Sequence, residues 1–141
     1  MGRFMTAIFC DDIRKEEGNK LSYMGIYNSG LRVPTFPLVL PKLCVAMSLH
    51  CQGAGHSPTS LTFTLYRDDE LLGEVPVNMT QTNQAVGPNQ PLLDDQNFIT
   101  TAVLQFFPLL IQAPCKLKAR AMCDGELMRG GVLAVELAPT A

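Results

Sequence analysis

A run of charged residues, Asp11-Asp12-Ile13-Arg14, directly follows an apolar segment near the start of the chain. Its two carboxylates and one guanidinium, here called the acidic cluster, could form a polar recognition point or hold a divalent cation. Neighbouring residues of a strand point to opposite faces, so Asp11 and Asp12 could share one ligand only where a strand ends. Asp is common in turns because its carboxylate accepts backbone N–H groups. We therefore expect Asp11 or Asp12 to cap a turn, with Arg14 paired to one of the carboxylates.

Other side chains could extend this site. Two further acidic pairs, Asp68-Asp69 and Asp94-Asp95, lie in predicted turns, and three acidic turns that met at one end of a fold could bind calcium. His50 lies at the end of a predicted strand and could act as a ligand or a base. One candidate function is therefore a small-molecule-binding or metal-binding protein, extending to hydrolysis, that uses the acidic cluster together with His50.

Little else in the sequence favours catalysis. The chain has no Gly-x-Ser-x-Gly nucleophile motif and no phosphate-binding glycine loop, and its cysteines and histidines lack the paired short spacings of a zinc site. We therefore expect no catalytic residue, no metal and no cofactor.

A second candidate surface is a row of basic residues, Lys116, Lys118 and Arg120, that alternate with apolar residues. Alternate residues of a strand share one face and stand about 7 Å apart. A solvated sheet face that discourages edge-to-edge pairing would give this pattern. A basic stripe that binds an acidic partner would give it too, because electrostatic fields act locally even when the net charge is −2. We predict that this basic row and the acidic cluster contribute to binding.

Alternation of apolar and polar residues with a period of two recurs along the chain and predicts strands. Residues 61–66 alternate in this way, and Arg67-Asp68-Asp69-Glu70 is typical of a turn. Residues 71–77 form the returning strand, which Pro76 places at a sheet edge because proline donates no ladder hydrogen bond. Residues 98–107 could form a strand or a short helix, and their threonines and valine favour the strand.

The C-terminal third shows the clearest hairpin. Asp124-Gly125 predicts a tight turn between two alternating strands. Arg129-Gly130-Gly131 on the returning strand is typical of a β-bulge. Short strands separated by turns favour an antiparallel sandwich over a parallel sheet.

Four apolar runs are apolar on both faces, which a sandwich with one solvated side does not require. These runs are residues 7–10, 43–47, 103–110 and 132–137. A long polar segment, 78–97, could cover part of one sheet face, and so could another subunit. This surplus of apolar surface favours binding or assembly over catalysis.

Residues 1–141 are expected to form a single mainly-β domain with little helix, an antiparallel β-sandwich of the immunoglobulin-like or jelly-roll-like kind. A chain of this length can bury a core without metal or disulfides. The composition, 47% apolar and 17% charged, is typical of a globular protein.

Composition also restricts the partners and the location. A net charge of −2 and the absence of Trp argue against binding to nucleic acid or to an anionic membrane. Five cysteines without a Cys-x-x-Cys pair favour a reducing compartment, and no secretory or membrane-spanning segment is visible. We therefore expect a cytoplasmic protein.

The segments FCDDIR, EGNKLSYMGIY, VPTFP and LPKLCV, all within residues 9–45, resemble the pattern of an uncharacterised family of bacterial and phage proteins of the DUF6941 type. The resemblance is strongest over residues 7–45. It implies a compact β-sandwich and a phage or prophage origin. It implies no activity, substrate or catalytic residue.

Taken together, these features predict a non-enzymatic protein-interaction or assembly module that forms homo-oligomers. Its partners would be proteins, including copies of itself. A phage-encoded protein of this kind would be a virion component or a factor that inhibits a host protein, located in the virion or the host cytoplasm.

Overall fold

A computed structural model describes residues 2–28, 30–52, 58–78 and 98–139 of the chain. This part of the chain forms eleven strands and no helix, which confirms the prediction of a mainly-β, sandwich-like fold. The strands are β1 (Gly2–Glu16), β2 (Lys20–Ile26), β3 (Leu31–Val33), β4 (Leu38–Leu40), β5 (Leu43–Gln52), β6 (Leu61–Arg67), β7 (Glu70–Val77), β8 (Phe98–Phe106), β9 (Leu109–Ile111), β10 (Cys115–Cys123) and β11 (Glu126–Leu137).

The strands form two large sheets and one small one. Sheet A has the order β2-β1-β5-β8, sheet B has the order β3-β11-β10-β6-β7, and β4 pairs with β9 in a corner sheet. All the pairings are antiparallel except that of β3 with β11, which is parallel and departs from the prediction. No tight turn joins β3 to β11 in sequence, so the direction of this short strand is not fixed by a hairpin.

The inner faces of sheets A and B form one hydrophobic core. Leu61, Phe63 and Leu65 of β6 are buried there, as their alternation predicts, and Leu117 of β10 is buried beside them. Among the described residues, the buried set contains no polar or charged side chain. The core is therefore held by apolar packing alone.

Strand β1 packs across β11 at a β-bulge, which confirms the predicted irregularity at Gly130 and Gly131. A Cβ atom at Gly130 would lie 3.0 Å from Cε of Met5 and 3.2 Å from the carbonyl oxygen of Ala119. At Gly131 it would contact Ala7 and Phe9 of β1. Glycine at these two positions therefore allows the sheets to approach closely at this point.

Asp124 joins the two sheets at one end of the sandwich. It occupies the β10–β11 turn, as predicted, with a left-handed φ of 51°. Its Oδ1 accepts hydrogen bonds from the Thr59 hydroxyl at 2.8 Å and from the N–H groups of Thr59 and Ser60 at 2.9 Å each. Its Oδ2 lies 2.9 Å from Nη2 of Arg3, on β1 of sheet A. We call these contacts the Asp124 clasp.

The structure confirms two further predicted strands. Residues 71–77 lie in β7, which is an edge strand as Pro76 predicts, and residues 98–106 form a strand and no helix. The first hairpin turns at residues 17–19. The predicted polar segment 78–97 lies outside the described residues except for Asn78, and so do Asp94 and Asp95.

The burial of Phe63 predicts a loss of stability when its side chain is removed. Phe63→Ala removes the largest fully buried side chain and leaves a cavity, so we expect the free energy of unfolding to fall by about 3–5 kcal/mol. Met122→Ala, on the outer face of β10 where the side chain is 44% exposed, is the control and should change it by less than about 1 kcal/mol. Urea denaturation of both variants measures the difference, and equal losses would contradict the described core.

The Asp124 clasp predicts how stability depends on pH. The hydrogen bonds from Thr59 and Ser60, with Arg3, lower the pKa of Asp124 from 3.8 to about 2. Because the folded-state pKa is the lower one, the carboxylate stabilises the fold above pH 3.8, and this contribution is lost as the pH falls through about 2.

Asp124→Asn keeps an oxygen acceptor but cannot ionise, so the variant should be less stable than the wild type at pH 6 and should lose less stability between pH 3.8 and about 2. Denaturation measured at a series of pH values tests this. Parallel acid profiles for the two proteins would refute the role of the clasp.

Candidate functional site

The basic row lies on the outer face of sheet B. Lys116, Lys118 and Arg120 point away from the core, because Leu117, Ala119 and Ala121 between them are fully buried. The predicted alternation of β10 is therefore confirmed.

Of the three basic side chains, Arg120 is held by a hydrogen bond to the backbone. Its Nη1 donates a hydrogen bond to the carbonyl oxygen of Ala119 at 2.9 Å, and Arg129 lies directly opposite on β11. Burial, and then the charge of Arg129, lower the pKa of Arg120. A like-charge pair across two strands is unfavourable by itself, so this part of sheet B is suited to an anionic neighbour.

The acidic cluster is not a turn, and that prediction is wrong. Strand β1 continues through Asp11, Asp12 and Arg14 to Glu16, because β2 pairs with it along this whole stretch. The two carboxylates therefore belong to opposite sides of the strand and have different partners. Within the described residues, no ion pair joins Arg14 to either carboxylate.

Asp11 binds the end of the first hairpin. Its Oδ1 accepts a hydrogen bond from the Tyr27 hydroxyl at 2.6 Å, and the Tyr27 N–H donates to the carbonyl oxygen of Phe9 at 2.9 Å. Burial, and then the bond to Asp11, raise the pKa of Tyr27, so the phenol stays protonated as a donor. The carboxylate lies against Gly25, where the backbone φ is 70°.

Asp12 faces the other way and forms an ion pair with Lys42 at 2.6 Å. This contact lowers the pKa of Asp12 and raises that of Lys42. The Lys42 ammonium also lies 5.6 Å from the ring centroid of Phe107. Each charge of the pair is thus occupied by the other, which favours a structural role for Asp12 over cation binding.

The structure does not bring together the residues of the small-molecule or metal alternative. His50 pairs with Phe4 across β1 and β5, and the two rings stack at 4.5 Å. Asp12 lies eight residues further along β1, a separation of about 27 Å. Among the described residues there is no group of three or more His, Cys, Asp or Glu side chains that could hold a metal ion.

The basic row and the acidic cluster also do not form one site, because they lie on different sheets. The feature that sequence analysis located only in part is the outer face of sheet A. Between the row of Phe4 and the row of Cys10, its outward side chains include no Asp, Glu, Lys or Arg. We call this surface the uncharged face. It is formed by Phe4, Thr6, Ile8 and Cys10 of β1, His50, Ser48, Ala46 and Cys44 of β5, Ile99, Thr101, Val103 and Gln105 of β8, and Ile26 of β2. Cys10, Cys44 and Ala46 are buried, and the other ten side chains are at least partly exposed.

Two rows of the uncharged face are mainly apolar, and one row between them is polar. Ile8, Ala46 and Val103 lie side by side, and so do Phe4, His50 and Ile99. The predicted apolar runs 7–10 and 43–47, and the part of the run 103–110 that lies in β8, contribute to this surface. Only the strand order β1-β5-β8 shows that they are neighbours. The run 132–137 lies in sheet B instead.

The two thiols of the uncharged face are expected to be unreactive. Cys10 and Cys44 lie directly opposite each other, and both are fully buried. Burial, and then the neighbouring Cys44, raise the pKa of Cys10 to about 11, and burial also raises the pKa of Cys44. A thiol held in its protonated form is a poor nucleophile, so these residues serve as small apolar side chains.

Gly25 gives a sharp test of the Asp11 contact. Gly25→Ala and Gly125→Ala both place an L-residue at positive φ, 70° and 82°, which costs about 1–2 kcal/mol in each variant. Only at Gly25 would the new Cβ overlap a neighbour, the Asp11 carboxylate, whereas nothing lies within 4 Å of a Cβ at Gly125. We expect Gly25→Ala to lower the free energy of unfolding by about 1–3 kcal/mol more than Gly125→Ala, because of this overlap.

Chemical denaturation of the two variants measures this difference. Equal losses would mean that Asp11 moves aside without cost and that its bond to Tyr27 does not hold the hairpin.

Comparison with known proteins gives one family. The model of DUF6941, a family of unknown function, matches residues 5–136. No curated protein and no solved structure matches the chain. In the described part of the chain, no helix is long and apolar enough to span a membrane. The match covers all eleven strands except the first residues of β1 and the last residue of β11, so the chain belongs to the DUF6941 family.

Proposed function

We propose that this protein is a non-enzymatic protein-interaction or assembly module and that the uncharged face is its binding surface. One observation supports the proposal above the others: the ten side chains of this outer sheet face that are at least partly exposed include no Asp, Glu, Lys or Arg. The outer face of a sheet in a monomeric protein is normally solvated and polar. A face without charge is suited to contact with another protein.

The size of the uncharged face fits this role. The distance from Phe4 to Cys10 is about 20 Å along β1, and over this length the three strands β1, β5 and β8 span about 10 Å between the outermost backbones. The projected area between these backbones is therefore roughly 200 Å², and the side chains at its margins extend it toward the few hundred Å² of the functional patches of small proteins. Three large side chains, Phe4, Ile26 and Ile99, are prominently exposed on it. Their burial would drive association.

The outer face of sheet B differs from the uncharged face, which supports the choice of sheet A as the binding surface. Its outer face carries Lys116, Lys118, Arg120, Arg129 and Glu74 among its residues, so water can solvate it. The basic row is proposed as a secondary contact for an acidic region of the partner, because Arg120 and Arg129 lie opposite each other.

The cellular context is part of the proposal. We propose a cytoplasmic protein that associates with itself and with other proteins. A phage or prophage origin, which the sequence resemblance implies, would make it a virion component or an inhibitor of a host protein.

Matched charge insertions test which face binds. Phe4→Lys/Ile26→Lys alters sheet A at positions 45% and 48% exposed, and Met122→Lys/Leu127→Lys alters sheet B at positions 44% and 48% exposed. Both add two positive charges at equal exposure. The tagged wild type and both variants are used to capture partners from lysate of the cells that encode the protein, with quantitative mass spectrometry. We expect the sheet A variant to recover at least about tenfold less of any partner, because burying an unpaired charge opposes binding.

The sheet B variant should capture as much partner as the wild type does. Equal capture by both variants would overturn the uncharged face as the binding surface. Capture that survives in the sheet A variant but is lost as salt is raised would assign binding to the basic row instead. Near-UV circular dichroism confirms that each variant keeps its fold.

A further inference from the structure

The strands at the ends of the two large sheets differ in how they discourage pairing with another chain. Strand β7 at one end of sheet B carries Glu70, Glu74 and Pro76. It also has a bulge, because Leu65 and Tyr66 of β6 face Gly73 and Leu71. Charges, proline and bulges are the usual means by which natural proteins protect an edge strand.

The other end of sheet B and one end of sheet A are protected as well. Strand β3 has only three residues, includes Arg32, and is followed by Pro34. Strand β2 begins with Lys20 and includes Gly25, whose positive φ interrupts the extended backbone. A short or irregular strand offers a poor template for a second chain.

Strand β8, at the other end of sheet A, has none of these features. Its nine residues, Phe98–Phe106, include no charged residue, no proline and no glycine. Its register with β5 is continuous from Phe98 to Phe106, without a bulge. Within the described residues, β8 pairs with β5 on one side and has no strand on the other. Ile99, on its outward side, is 61% exposed.

The sequence of β8 is also compatible with itself in an antiparallel pair. A twofold axis at Ala102 would place Thr101 beside Val103 of a second copy and Ile99 beside Gln105. A symmetric pair brings each charge close to its own copy, and β8 has none to repel. Threonine, valine and isoleucine are also the residues that favour cross-strand pairing.

We propose that β8 pairs antiparallel with β8 of a second copy of this chain. The two four-stranded sheets A then form one continuous eight-stranded sheet, with the two uncharged faces side by side. This inference rests on the self-association proposed above, but it uses the backbone edge of β8 and not the surface of the uncharged face.

The expected dimer is weak and depends on concentration. A strand of nine residues is about 30 Å long and a sheet is about 10 Å thick, so each copy covers roughly 300 Å² of projected edge. Interfaces of this size lie at or below the lower limit for specific complexes, so the dimer should form only as the protein concentration is raised. The backbone hydrogen bonds of the new ladder, more than the area, define the register.

Two measurements on the full chain test the pairing. Sedimentation equilibrium over a concentration series should show a reversible monomer–dimer equilibrium. Hydrogen exchange at the same concentrations should show that alternate amides of β8, those that point away from β5, become protected as the dimer forms. Amides of β7 and β2 should not change. A protein that stays monomeric at millimolar concentration would overturn the proposal.

A pair of matched variants separates the edge from the face. Thr101→Lys/Val103→Lys puts two charges on the edge strand β8, and Thr6→Lys/Ile8→Lys puts two charges on the central strand β1. The two pairs occupy the same two rows of the uncharged face, at matching burial. We expect the β8 variant to raise the dimer dissociation constant by more than about tenfold, because lysines of both copies would meet across the axis.

The β1 variant should dimerise like the wild type while losing capture of other proteins. If both variants abolish the dimer equally, the copies associate through their faces, and the edge proposal fails while the proposed function stands. If the dimer forms without protection of β8 amides, the edge proposal fails even if a variant does not fold. If both variants capture other proteins as well as the wild type does, while the wild type forms the β8 dimer as expected, the proposed function is contradicted and the edge proposal stands.

Discussion

The close packing of β1 on β11 is the constraint on which the rest of this structure depends. Gly130 and Gly131 leave room for Met5, Ala7 and Phe9, and these odd-numbered residues are thereby fixed toward the core. Side chains of a strand alternate with a period of two, so every even-numbered residue of this part of β1 must face outward. The register of β1 with β5, and of β5 with β8, extends this decision across sheet A.

The outer surfaces follow from that register. The uncharged face of sheet A presents ten at least partly exposed side chains without a carboxylate, ammonium or guanidinium group, whereas sheet B presents the basic row. The same alternation separates Asp11 from Asp12. Asp11 holds Tyr27 at the end of the first hairpin, and Asp12 forms an ion pair with Lys42 at the border of the uncharged face. Residues that are neighbours in sequence thus perform different structural tasks.

Several charged groups of the described residues hold the sandwich together at its margins. The Asp124 clasp ties sheet A to sheet B through Arg3, and Arg67 ties β6 to the corner sheet through the carbonyl oxygen of Leu110. Within the described residues, these polar contacts lie at the ends of the fold, and the uncharged face and the outer edge of β8 take no part in them. This distribution is the basis on which the uncharged face is proposed as a binding surface.

The sequence by itself determined the strands and several turns. Alternation located β6 and β10, Asp124-Gly125 and Gly130-Gly131 located a turn and a bulge, and Pro76 located an edge, because each of these signals acts through local backbone geometry. The tertiary structure alone decided that β1, β5 and β8 are neighbours, and therefore that three separate apolar runs form one face. It also decided that Asp12 meets Lys42, thirty positions away, and that Asp11 lies within a strand and not in a turn. Strand order and long-range contacts depend on which distant segments pack together, and local sequence patterns do not determine this.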